Sequence, residues 1–198
     1  MDSFYKEWEL KDLGFKKLGK GVLISKKAII YNADQIEIGD NVRIDDLCIL
    51  SGKIIMGSFI HIGVCTRLSG SRGGLIMKDF SGVSYNSTVI ASSDDYSGEY
   101  LTNPTIPMKY RKTYPEQVVF EKHSLVASHC MVLAGVTLGE GCAIGSMSLV
   151  MKDVDPWSIY VGVPAKKIKE RKKNLLELEK QFREELLTSN YVQSFNNG

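Results

Sequence analysis

Apolar residues recur along this chain with a period of six. Counting from Ile38, every sixth place is aliphatic or Met, through Ile44, Leu50, Met56 and Ile62 to Leu68. Four places after each of the first five stand Val42, Cys48, Ile54, Ile60 and Thr66. A second block starts at Phe120 and runs through Val126, Val132, Leu138 and Ile144 to Val150. Its companions are Ser124, Cys130, Val136, Cys142, Ser148 and Val154. A strand alternates with period two and a helix repeats every 3.6 residues, so neither alone gives this pattern. A short strand followed by a tight turn does, when three hexapeptides close one triangular coil. The large side chain then fills the interior and the small one fits near a corner. Coils stacked about 4.8 Å apart share one continuous apolar column. The copies LGKGVL at Leu18, LGEGCA at Leu138 and IGSMSL at Ile144 carry Gly directly after the aliphatic residue, which suits the backbone angles of a turn. The expectation is an all-β core, a parallel β-helix. Accidental alternation in a β-sandwich would not hold phase over six successive hexads twice.

The departures from the period predict the remaining elements. Residues Ser3 to Leu13 read as a short helix with Ser3 as N-cap and Gly14 as its stop. Phe4, Trp8 and Leu13 then face the first coil. The phase slips between Ser69 and Leu75, in SGSRGGL. From Ser92 to Gln117 runs a polar excursion with Pro104, Pro107, Pro115 and the basic stretch MKYRK. A loop of that length inside a regular repeat points to function, a surface insertion being the alternative. From Lys166 the tail reads as helical, with Ile168, Leu175, Leu178, Phe182 and Leu186 forming one stripe. The chain divides into a helical lead-in (1–17), a β-helix domain (18–165, excursion 92–117) and a C-terminal helix and tail (166–198).

Composition narrows the class. At 198 residues and 43% hydrophobic, the chain can bury one substantial core. A net charge of +2 gives no general signal for nucleic acid. The start, MDSFYKEWELKD, has no apolar run long enough for export or for a membrane span. Cys48, Cys65, Cys130 and Cys142 are widely spaced without a CxxC pair. That spacing suggests reduced thiols in a cytoplasmic protein, not a disulfide framework or a zinc site.

On the hexad run and the segment AIGSMSLVMKDVDPWSIYVGVPAKKIKER, residues 18–171 resemble the hexapeptide-repeat acyltransferases, the left-handed parallel β-helix family. The segment is most similar to the sugar and xenobiotic acetyltransferases. The resemblance implies a left-handed coil, a homotrimer, and acetyl-CoA as co-substrate in the groove between subunits, with no metal. It places Ser128, Ser146, Met151, Lys152, Lys166 and Lys169 along the CoA arm. The serines leave room for the pantetheine, and Lys152 and Lys166 would meet phosphates.

Family O-acetyltransferases use a loop histidine as base. The matching segment here, TVIASSDDYS, puts Asp94 at that position. Three histidines remain in the chain. His61, in FIHIGV, ranks first as general base, on the side where acceptors bind in relatives. His129, beside Ser128, ranks second, near the thioester. His123, in EKHSL, reads as a solvent-facing turn residue. A turn or interface role is the alternative for each.

The acceptor follows from what replaces the histidine. A sugar hydroxyl must lose its proton as it attacks, so it needs a positioned base. A neutral amine attacks unaided and needs orientation and oxyanion stabilisation. Asp94 or Asp95, with Ser92, Ser93 and Tyr96 nearby, suits an amino sugar, whereas an Asx turn is the structural alternative. Asn86 is a further acceptor-binding candidate. Lys109, Tyr110, Arg111 and Lys112 would face a nucleotide diphosphate, fitting a resemblance to acyltransferases of O-antigen pathways. The expected function is acetyl-CoA-dependent acetylation of an amino group on a nucleotide-linked amino-deoxy sugar for surface polysaccharide. Sugar O-acetylation of the galactoside or maltose type and a non-catalytic hexapeptide scaffold are the alternatives. A zinc-binding γ-type carbonic anhydrase fits poorly, because His123 and His129, one hexad apart, lie on successive sides of the prism.

Overall fold

In the computed structural model, residues 3–188 are described; the predicted tail beyond them lies outside that range. The hexads become coils of three short strands, each strand stacked in parallel on its counterpart in the next coil. One face carries Leu23, Arg43, His61, Gly82, Leu125, Ala143 and Ile159 in register. A second carries Ile36, Ile54, Leu75 and Val118. The third carries Ile29, Ile49, Arg67, Thr88, Met131 and Leu149. No member of the two hexad series is more than 4% exposed, so the period of six is the packing period of the core. Burial pushes the Cys48 thiol up to about 11 and the Cys142 thiol up to about 12. All four cysteines are free.

The corners explain the turn chemistry. Phe59, Phe80 and His123 stand with φ near +60° at one corner; Cys65, Asn86 and His129 do the same at the next. The coil before holds each turn, as when Phe80 N–H donates to Ser58 O at 3.0 Å and His129 N–H to Tyr85 O at 2.9 Å. The glycines after the aliphatic residues have a different reason from the one expected. Gly139 has no positive φ; instead a Cβ there would lie 2.5 Å from Pro156 N of the next coil. Close stacking of coils, not turn angle, demands the glycine.

Two insertions break the stack. At the phase slip, Gly52 pairs with Ser71 and Ile54 with Leu75, the extra residues bulging at one corner. Beyond Ala91 the chain leaves the coil as an antiparallel hairpin, Ser92–Asp94 against Thr113–Pro115. It rejoins at Val118–Phe120 on the second face.

Both ends differ from the sequence expectation. The N-terminal helix α1 covers only Glu7–Asp12, with Glu9 accepting the Lys6 N–H at 2.6 Å. Ser3 does not cap it: Phe4 bridges Ser25, and Tyr5 N–H donates to Ile24 O, so these residues extend the coil edge. Leu10, not Trp8, is the buried anchor; Trp8 is 67% exposed. Gly14 does follow the helix, at φ +75°. After the last coil, Lys166–Glu170 is a strand antiparallel to Ser158–Val161, not the start of a helix. The second helix, α2, is Leu175–Thr188. It docks on the aromatic corner: Phe182 meets Phe59 edge-on at 5.3 Å, and Glu179 reaches the His123 Nε2 at 2.7 Å. His123 is therefore buried and stacked on Phe80. The expectation of a solvent-facing histidine fails because α2 covers that corner.

Candidate active site

The hairpin separates the roles of its two adjacent aspartates. Asp95 is buried and closed on its own loop. Its carboxylate accepts from Ser97 Oγ at 2.9 and 3.0 Å, Gly98 N–H at 3.0 Å and the Tyr114 hydroxyl at 3.1 Å. Burial pushes its pKa up, but the donors from Ser97, Gly98 and Tyr114 outweigh burial and hold it below the usual carboxylate range. Asp95 therefore organises the loop, as an Asx-type turn does. Asp94 is half-buried and its carboxylate has one hydrogen bond, Oδ2 accepting the Asn103 N–H at 3.2 Å. Its other oxygen has no protein partner among the described residues. Asp94 borders a cavity of about 410 Å³ together with Ile90, Ser93, Tyr114 and Leu133. That volume falls in the range of small-ligand sites.

A second group gathers at the corner between the first and third faces. Ser84 and Ser128 bring their hydroxyls to 3.0 Å across two coils. Thr66 Oγ1 donates to Ser84 O at 2.9 Å, and the Ser84 N–H donates to Val126 O at 2.8 Å, fixing the backbone beneath. Asn86 and His129 share this corner's left-handed positions and are both exposed. Ser84 was not singled out from the sequence. Its pairing with Ser128 crosses the excursion, so the register Val83 to Val126 had to be known first.

The C-terminal coils present the expected CoA-binding positions. Ser146, Met151, Lys152, Lys166 and Lys169 are all exposed. The turn after Val161 folds back onto the last coil, with Ala165 N–H donating to Leu149 O at 2.8 Å, and the Val163–Pro164 bond is cis. Lys167 is engaged by Glu170 at 2.9 Å and Asp155 at 3.3 Å. No ion pair occupies Lys152, Lys166 or Lys169 among the described residues.

The histidines part company. His61 lies on the first face, its Nε2 2.7 Å from Asp45 Oδ2, with Arg43 Nε on the other carboxylate oxygen at 2.7 Å. Asp45 is buried, so the pair orients the ring. Within one chain His61 and Asp94 are not brought together: one sits on a face, the other on the hairpin beyond a different edge. The Ser84–Ser128 corner and Asp94 are in turn separated by the face that carries Thr88–Ile90.

No protein-family model matches the chain. Over 191 residues it is 39% identical to a dTDP-4-amino-4,6-dideoxy-D-glucose acyltransferase of Escherichia coli, covering 95% of this chain and 99% of that one. The fold superposes with a TM-score of 0.92 on AntD, an N-acyltransferase from Bacillus cereus in complex with dTDP and 3-hydroxybutyryl-CoA. The two are 48% identical over 94% of this chain and 100% of that one. AntD has also been solved with substitutions at an aspartate, D94A and D94N, and at a serine, S84A, S84C and S84T. The S84C form is in complex with dTDP-4-amino-4,6-dideoxyglucose and coenzyme A. A hexapeptide-repeat acetyltransferase of Vibrio cholerae, 19% identical with a TM-score of 0.56 over 84% of this chain and 76% of that one, shares the fold. The chain belongs to the hexapeptide-repeat N-acyltransferases of nucleotide-linked amino sugars, left-handed parallel β-helix enzymes that use an acyl-CoA as co-substrate.

Proposed function

We propose that this enzyme acylates the amino group of dTDP-4-amino-4,6-dideoxyglucose, or of a sugar differing from it in stereochemistry, with Asp94 handling the amine. The observation that carries this is the spare carboxylate oxygen of Asp94 beside a ligand-sized cavity, where the related O-acetyltransferases carry a histidine. The substrate is that of the E. coli and B. cereus relatives, and this chain has Ser84 and Asp94 at the numbers substituted in AntD. Asp94 binds the amine and takes its proton as nitrogen attacks the thioester carbon. The tetrahedral intermediate then expels the CoA thiolate. Ser84 and Ser128 flank the thioester arm, with backbone N–H groups at that corner as oxyanion donors. Asn86 and His129 border the same corner and contact the acceptor. Ser146 and Met151 line the pantetheine, and Lys152, Lys166 and Lys169 meet CoA phosphates. His61, committed to Asp45 on another face, is assigned a structural hydrogen bond.

The working unit is a homotrimer. Asp94 and the serine corner lie at different edges of one prism, and a neighbouring copy set edge to edge brings them into one groove. Residues 18–165 form the catalytic domain, acting in the cytoplasm on a sugar bound for surface polysaccharide. Among the described residues no helix is long and apolar enough to cross a membrane.

The test is thiol release from acetyl-CoA and 3-hydroxybutyryl-CoA against two acceptor sets. One holds nucleotide-linked amino-deoxy sugars, the other free galactosides and nucleotide-linked hydroxyl sugars. Turnover confined to the amino set is expected. Turnover on the hydroxyl set alone overturns the assignment of Asp94.

A further inference from the structure

The hairpin carries a lysine that pairs with no carboxylate among the described residues. Lys112 Nζ lies 5.3 Å from the centre of the Tyr100 ring and 5.0 Å from that of Tyr114. Both separations fall inside the roughly 6 Å over which a cation is attracted to an aromatic face. The two rings come from different parts of the excursion. Tyr114 belongs to the returning strand Thr113–Pro115, and Tyr100 to the loop that leads away from Asp95. Lys112 ties one to the other. Lys109, by contrast, lies 4.7 Å from the ring of its own neighbour Tyr110 and links nothing distant.

What the two tyrosines hold is the surroundings of Asp94. Tyr114 pairs with Ser93 across the hairpin, and its hydroxyl donates to Asp95 Oδ1 at 3.1 Å. That fixes the residue directly after Asp94. Tyr100 precedes Leu101, whose N–H donates to Tyr110 O at 2.9 Å and whose backbone bridges Arg111. Two residues on, Asn103 stands at φ +72° and gives its N–H to Asp94 Oδ2. Its own Oδ1 accepts the Thr105 N–H at 3.0 Å, which keeps that turn in shape. The segment from Tyr100 to Asn103 therefore decides which Asp94 oxygen is occupied, and the returning strand decides where the carboxylate stands. Asp94, with one hydrogen bond, does not hold itself. Asp94, Asp95 and Tyr114 border the cavity of about 410 Å³, and Lys112 does not, so its influence on that cavity passes through the rings.

Resting on the function proposed above, we propose that Lys112 is a positioning residue for the acyl transfer. Through Tyr100 and Tyr114 it holds the Asp94 carboxylate with one oxygen on Asn103 and the other turned to the amine. Alignment of this kind matters because a displacement of about 1 Å at a reacting group costs up to about 10²-fold in rate.

The test is steady-state kinetics of the full-length protein and its K112M, Y114F, D94N and K112M/D94N variants, with dTDP-4-amino-4,6-dideoxyglucose and acetyl-CoA, beside calorimetric titration of dTDP. K112M keeps the aliphatic stem and removes the cation. Y114F keeps the ring and removes the donor to Asp95, and it carries the test if circular dichroism shows K112M unfolded. K112M and Y114F are each expected to lose about 5- to 50-fold in kcat, while the KM for acetyl-CoA and the affinity for dTDP stay within about twofold. In the D94N background K112M is expected to cost little more, because a residue acting through Asp94 has nothing left to position. Wild-type kcat in folded K112M and Y114F, or a loss that multiplies undiminished in the D94N background, overturns the proposal and leaves the assignment of Asp94 intact. Weakened dTDP binding by K112M with kcat unchanged also overturns it, making Lys112 a phosphate contact. Wild-type turnover by D94N overturns the function on which the proposal rests.

Discussion

Helix α2 is held to the β-helix by a carboxylate, and the substitution Glu179→Gln tests how much that contributes. Burial pushes the Glu179 pKa up, but hydrogen bonds from Lys122, Arg183 and His123 outweigh burial and bring it down to about 2 from 4.5. The distances are 2.7, 2.6 and 2.7 Å. At 1.36 kcal/mol per pH unit, that difference is about 3 kcal/mol. Lys122 and Arg183 are 35% and 44% exposed, so solvent screens them and about 1–2 kcal/mol is left. A pKa depressed in the folded state stabilises above the unfolded value. The contribution is therefore complete above about pH 4.5 and is lost as the pH falls from there towards 2. Glu179→Gln keeps the size and removes the charge. Hydrogen exchange of the amides of residues 175–188 at pH 7 should speed up about 5- to 30-fold, while the coil amides are unchanged. In thermal unfolding, the gap between wild type and variant should be open at pH 7 and closing at pH 3. Unchanged exchange in α2, or a gap independent of pH, would falsify the view that this cluster holds the helix.

Four further perturbations probe the site and its scaffold. Asp94→Asn should lower turnover by about 10²- to 10⁴-fold with CoA affinity unaltered, and turnover at the wild-type level would remove Asp94 from the chemistry. Lys152→Ala and Lys166→Ala should each weaken CoA binding by several-fold, an effect that fades as salt is raised; insensitivity to both changes would place the phosphates elsewhere. Gly139→Ala pushes a methyl group to within 2.5 Å of the next coil's backbone, costing about 1–3 kcal/mol and several degrees of Tm; an unchanged Tm would mean the coils can spread. His61→Ala should leave kcat near wild type while lowering stability, because it strips one partner from the buried Asp45; a collapse of kcat in a stably folded variant would return His61 to the reaction.

The β-helix was legible because one physical requirement recurs at every coil. Ile44 and Val132 occupy equivalent positions and are equally buried, so the pattern could be counted without any knowledge of the turns. Where a single long-range partner decides the outcome, counting fails. The helix expected from Lys166 is a strand because Ser158–Val161 offers it an edge. The solvent-facing His123 is buried because α2 arrives from 56 residues further along the chain. Ser84 was passed over for the same reason, its partner Ser128 standing 44 residues on and across the hairpin. Asp94 was readable as a candidate, since the resemblance to the O-acetyltransferases sets it at the place of their loop histidine. Its neighbour Asp95 looked identical in the sequence. Only the hydrogen bonds from Ser97, Gly98 and Tyr114 distinguish a carboxylate used to build the loop from one left available.

Why a carboxylate can stand where an O-acetyltransferase carries imidazole follows from when the proton is lost. A hydroxyl is a poor nucleophile until its proton departs, so the base must act in the attacking step itself. An amine attacks with its own lone pair and becomes cationic only as the C–N bond forms. A negative charge fixed beside that nitrogen stabilises the developing cation and accepts a proton that has by then become acidic. What the proposed mechanism asks of Asp94 is a place, a free oxygen and an aligned substrate. Placement comes from Asp95, which ties the hairpin tip, and from the Ser92–Asp94 pairing with Thr113–Pro115. The adjacent aspartates are thus one device. On the function proposed above, the first would carry charge to the nitrogen, and the second, saturated with donors, would keep the first where the nitrogen will be.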